Sequence, residues 1–102
     1  DITLPTATTA AEGENLTGWY IEVFVAYAGN NDCRILRGDT TNDFLQGSVA
    51  SSGQHTLQGI TISSQGITFV DGKAAEGDYV KVLCYSADAD NTYFVATAAS
   101  NT

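Results

Sequence analysis

The side chains best suited to chemistry crowd into SADADN, residues 86–91, where Asp88 and Asp90 lie two apart and Asn91 follows. These are the oxygen donors that calcium prefers, which makes Asp88, Asp90 and Asn91 the candidate metal ligands of the chain. The full calcium-loop signature also has a central glycine and a distal glutamate, and neither stands in place here. Asp and Asn are equally the residues that turns select, because their side chains bond to nearby backbone amides. The reading adopted is a hairpin turn with no obligate metal, with a bound cation as the alternative. DGKAAEGD, residues 71–78, reads as a second polar turn.

His55 is the only histidine, so a Ser-His-Asp triad would have to be built around it with a loop serine such as Ser51 or Ser52. SSGQH has neither the strand–turn–helix context of a nucleophile elbow nor an oxyanion motif, and His55 is read as an exposed polar residue at a strand start. Paired carboxylates could serve glycoside hydrolysis, but twelve acidic residues in a chain of 102 bring some together without purpose. No catalytic residue is assigned, the chain is read as a non-enzyme, and no cofactor is expected.

Cys33 and Cys84 lack the short spacing of a zinc site or a redox pair. Both sit in alternating apolar segments, so they are expected to be buried as small apolar side chains. A Cys33–Cys84 disulfide is the alternative, available only if their Cα atoms come within about 7 Å.

The elements that must position these groups read as strands. The clearest is WYIEVFVAY, residues 19–27, with Trp19, Ile21, Val23, Val25 and Tyr27 on one face and Tyr20, Glu22, Phe24 and Ala26 on the other. The first face is assigned to the core. CRILRG follows after the turn AGNND and is expected to pair antiparallel with it, Arg34 and Leu36 facing opposite to Cys33 and Ile35. Residues 38–54 show weak patterning and read as an irregular crossing between sheets. Ile60 and Ile62, Ile67 and Phe69, and Val80, Val82 and Cys84 mark further strands, and TYFVATA closes the chain. Seven or eight short strands without a helical period, each with one apolar face, predict an all-β fold: a single domain over residues 1–102, an antiparallel two-sheet β-sandwich, jelly-roll-like, with a closed barrel as the alternative.

Four basic residues against twelve acidic ones leave a net charge of −8. Arg34, Arg37, Lys73 and Lys81 are scattered, so nucleic acid and anionic lipid are excluded as partners. No apolar run has the length of a membrane span, and no segment has the pattern of a signal peptide. The chain begins at Asp1 and contains no Met, which fits either a processed protein or a module of a longer one.

Tyr20 and Phe24 flank Glu22 on a face that a solvated sheet does not need, and Arg34 and Leu36 lie on the expected neighbour. Tyr20, Glu22, Phe24, Arg34 and Leu36 are therefore the candidate subunit interface. The outward aromatics Tyr20, Phe24, Tyr79, Tyr85 and either Tyr93 or Phe94 could also form a sugar-binding platform.

ITLPTAT at the start, GWYIEVFV after a small-residue loop, CRIL next and GDYVKVLCYSADADNTYFVATA at the end occur in an order that resembles a β-sandwich module of bacteriophage virion proteins, of the tail-fibre and capsid-decoration or head-fibre type. The resemblance spans nearly the whole chain and departs from the pattern over residues 38–54. It implies a structural role at the virion surface, assembly as a homotrimer, contacts with other virion proteins, and a host-surface glycan as a further partner. Two other classes fit the residues: a secreted extracellular filament or adhesin subunit at the cell surface, in which the cysteines would pair, and a carbohydrate-binding module.

Overall fold

The computed structural model describes residues 1–6, 16–25, 32–51, 59–70, 74, 77–88 and 91–100. Eight strands lie among them: β1 (Ile2–Thr3), β2 (Tyr20–Phe24), β3 (Cys33–Leu36), β4 (Asp43–Ser51), β5 (Ile60–Ser63), β6 (Gly66–Phe69), β7 (Tyr79–Ala87) and β8 (Thr92–Ser100). They form two four-stranded sheets, a short-stranded one in the order β1-β3-β6-β5 and a long-stranded one in the order β2-β7-β8-β4. The all-β class follows from the alternation. Along β7, Val80, Val82 and Cys84 are fully buried while Tyr79, Lys81 and Leu83 between them are not.

One buried cluster takes side chains from both sheets: Ile35, Ile60, Ile67 and Phe69 from the first, Leu45, Val80, Val82, Phe94, Ala96 and Ala98 from the second. Such sharing is consistent with a small β-sandwich, in which each sheet covers the apolar face of the other. Trp19, Ile21, Val23, Val25 and Ile62 pack against this cluster half-buried, and the Trp19 ring meets Phe94 edge-on at 6.3 Å.

The sheets are mixed rather than wholly antiparallel. β1 pairs with β3 in parallel, and β4 pairs with β8 in parallel along its whole length, from Asp43 opposite Thr92 to Ser51 opposite Ser100. β2 and β3, expected to pair with each other, belong to different sheets: β2 pairs antiparallel with β7 and β3 with β6. A short separation in sequence makes a hairpin cheap in loop entropy, but the face bearing Ile21 and Val23 packs on the shared core cluster and β2 takes its ladder from β7.

Residues 43–51, expected to be irregular, form β4. By alternation Leu45, Gly47 and Val49 share one face, and the glycine, itself exposed, breaks the apolar signal in the middle. A Cβ on Gly47 would stand 2.3 Å from the Ala96 carbonyl oxygen, and the close approach of β4 to β8 therefore demands the residue that hides the strand from a periodicity reading.

Asp43, at the start of β4, is a fully buried carboxylate that ties the sheets together. The Thr6 hydroxyl donates to its Oδ1 at 2.8 Å and the Asp39 amide donates to its Oδ2 at 2.9 Å. These partners replace the lost hydration of the carboxylate and anchor the segments that follow β1 and β3 to the first residue of β4.

Candidate outer-face binding surface

The antiparallel register of β2 with β7 places Tyr20 opposite Leu83, Glu22 opposite Lys81 and Phe24 opposite Tyr79. The β7–β8 register continues the rows through Val95, Thr97 and Ala99. All these positions are on the face of the long-stranded sheet that points away from Val80 and Val82. Among the described residues, the large apolar or aromatic side chains that are exposed are Tyr20, Phe24, Phe44 and Tyr85, and all four belong to this sheet.

The aromatics gather at its two ends. Near the start of β7, Phe24 lies 4.9 Å from Tyr79, and the Tyr79 hydroxyl donates to Glu22 Oε1 at 3.4 Å. Lys81 Nζ sits 4.7 Å above the centre of the Tyr20 ring, a cation–π contact. Desolvation first, and the Glu22 carboxylate second, push the Tyr79 hydroxyl above the ordinary tyrosine range, so it remains a neutral donor. At the far end Phe44 stacks on Tyr93 at 5.1 Å with ring planes 14° apart, and Tyr85 approaches Tyr93 at 6.1 Å. Tyr85 reaches this group by the same alternation that turns Tyr79, Lys81 and Leu83 outward, and the ladder slips beside it, between Cys84 and Ser86.

Tyr20, Glu22 and Phe24 thus lie together on an open face as expected. Arg34 and Leu36 do not join them, because β3 is in the other sheet. Arg34 there makes a bidentate contact with the Asp1 carboxylate, at 2.9 and 3.4 Å, and Leu36 is half-buried. The cation beside the aromatic pair is Lys81 in place of Arg34. Of the pair Tyr93 and Phe94, Tyr93 faces outward and Phe94 is buried at 1% exposure.

Asp88 Oδ1 accepts the Asn91 amide at 2.8 Å and the Asp88 amide donates to the Asn91 carbonyl at 3.0 Å, closing the β7–β8 connection as a side-chain-stapled turn. Asp90 and His55 lie outside the described residues, as does Tyr27. Among the described residues no three His, Cys, Asp or Glu side chains converge as a metal site. Both cysteines are free. Cys84 is buried, and that burial raises its thiol above the ordinary range. Cys33, expected to be buried, is exposed: it sits at the first position of β3, where β1, paired only with Ile35 and Leu36, does not cover that strand. No helix among the described residues is long and apolar enough to cross a membrane.

No family model, no known protein and no solved structure was found to match the chain.

Proposed function

We propose that the protein is a non-enzymatic structural module that assembles through the outer face of its long-stranded sheet, meeting copies of itself and neighbouring proteins on a virion surface. The observation that carries the assembly reading is the collection of Tyr20, Phe24, Phe44 and Tyr85, 46 to 63% exposed, on one sheet face. Scattered apolar residues need no explanation, whereas two aromatic groups on one sheet face, edged by polar groups, have the composition of a contact. The occupant is a second copy of the chain: Glu22 and Lys81 stand opposite each other in one row, so the face carries both signs and a copy meets no net repulsion there in spite of the overall charge. The virion setting rests on the resemblance of ITLPTAT, GWYIEVFV and the closing hairpin to phage modules.

The test is sedimentation of the Tyr20→Ala, Phe24→Ala double variant. Both side chains are more than half exposed, so the monomer keeps its fold while association weakens by about tenfold or more. An assembly that is unchanged in the variant removes this face from the contact, and a monomeric wild-type protein at all concentrations removes self-association altogether.

A further inference from the structure

Beside the far aromatic group a cleft of about 240 Å³ opens between the two sheets. Arg37 and Ser64 line it from the ends of the short-stranded sheet, Phe44, Gln46 and Tyr85 from the long-stranded one, with Phe94 also on its wall. The Arg37 guanidinium is only partly used. Nη1 donates to the Asp43 carbonyl oxygen at 3.3 Å, whereas Nε is buried and has no hydrogen-bond partner. The nearby Asp39 carboxylate accepts the Thr41 and Asn42 amides and the Asn42 side chain and feels the Arg37 charge without touching it, and no carboxylate among the described residues stands within ion-pair distance of Arg37. The Nε is closed off from the cleft, so the guanidinium meets a ligand through its terminal nitrogens, and a planar guanidinium is shaped to receive a carboxylate.

The rest of the lining describes what carries that carboxylate. Phe44 and Tyr85 are each 46% exposed and present ring surface at the cleft, while the Gln46 amide and the Ser64 hydroxyl offer donors and acceptors. The volume is below the roughly 300 Å³ at which sites for drug-sized ligands begin, and suits a single ring with its substituents. Ring surface for the apolar face of a pyranose, an amide and a hydroxyl for its hydroxyls, and a guanidinium for a carboxylate together specify an acidic sugar. We propose that this cleft binds a carboxylate-bearing saccharide unit of the hexuronate class, with Arg37 as the carboxylate anchor. The cleft lies at the β4 edge of the sheet and shares Phe44 and Tyr85 with the assembly face, but its anchor Arg37 follows a strand of the other sheet, so glucuronate binding by Arg37→Gln and sedimentation of the Tyr20→Ala, Phe24→Ala variant report on the two proposals separately.

The experiment is calorimetric titration of the protein with glucuronate, glucose and benzoate, paired with NMR observation of the Arg37 Nε–H resonance. Glucuronate is expected to bind saturably, to shift that resonance, and to bind at least about tenfold more tightly than glucose, since loss of one charge-assisted pair has about that effect. Arg37→Gln is expected to abolish the preference over glucose. Phe44→Ala and Gln46→Ala, at exposed positions, are expected to weaken glucuronate binding in a chain with an unchanged melting curve, and they decide the matter if Arg37→Gln fails to fold. Absence of saturable glucuronate binding, equal binding of glucose, or glucuronate binding that survives both Phe44→Ala and Gln46→Ala would overturn the proposal. Tighter binding of benzoate than of glucuronate would overturn the saccharide assignment.

Discussion

Across β3, β6 and β5 the outward positions are Arg34, Leu36, Thr68, Thr61 and Ser63; across β2, β7, β8 and β4 they include Tyr20, Phe24, Tyr79, Leu83, Tyr93 and Phe44. The inner faces are alike, built of Ile, Val, Phe and Ala that are nearly all buried. The outer faces are unlike in the one respect that matters for function. Hydroxyl-bearing side chains satisfy a solvated sheet, and the short-stranded sheet uses them together with one exposed ion pair, which contributes little. Aromatic rings exposed to water gain only their cross-strand pairing for the monomer, and their concentration on the other sheet is what the proposed contact rests on. Strand length supports the same division: nine-residue β4, β7 and β8 give a broad platform, whereas no strand of the other sheet exceeds four residues.

The sharpest way to break the comparison is to attack what the sheets share. Val82→Asp places a carboxylate at a position with 0% exposure and no polar partner in the surrounding cluster, at a cost of several kcal/mol. That is a large share of the stability of a domain this size, and circular dichroism should report an unfolded chain. A folded Val82→Asp protein would mean that the inner face of β7 is not core.

A smaller loss follows from cutting the tie between the sheets. Asp43→Ala leaves the Thr6 hydroxyl and the Asp39 amide without their acceptor, which costs about 1 to 3 kcal/mol. Urea denaturation should show a lower midpoint with the same slope. An unchanged midpoint would show that each sheet holds its own ends without this carboxylate.

The smallest effect is an acid one and belongs to the loop between β3 and β4. Hydrogen bonds from the Thr41 amide, then the Asn42 amide, hold the Asp39 carboxyl below the ordinary aspartate range. A depressed folded-state pKa contributes stability that is complete above the ordinary value near 4 and vanishes as pH falls through the lowered one. Asp39→Asn should therefore melt slightly below the wild type near neutral pH, with the gap closing at about pH 3 or lower. A gap that widens in acid would contradict the assignment.

Much of this molecule could be read along the chain, because burial in a sheet has a period of two and β2 and β7 display it without interruption. The alternation of Ile21 and Val23 with Tyr20, Glu22 and Phe24, and of Val80, Val82 and Cys84 with Tyr79, Lys81 and Leu83, predicts both the strands and the face each side chain occupies. Local chemistry likewise suffices for the Asp88–Asn91 turn, whose bonds span three residues. The all-β class and the shared core rest on the same pattern.

What only the tertiary structure decided is which strands become neighbours. Periodicity says where a side chain points but not which ladder carries it, and nearness in sequence alone pairs Arg34 with Tyr20 although β3 and β2 lie in different sheets. β4 was hidden for a related reason: Gly47 answers to the Ala96 carbonyl of a strand some fifty residues away, not to its own neighbours. The Arg37 cleft needs both sheets at once, since Ser64, Gln46 and Tyr85 have no spacing that could announce it. A strand's faces are set by alternation within it, whereas pairing and cavities are set by contacts distant in sequence, which leave no local signature.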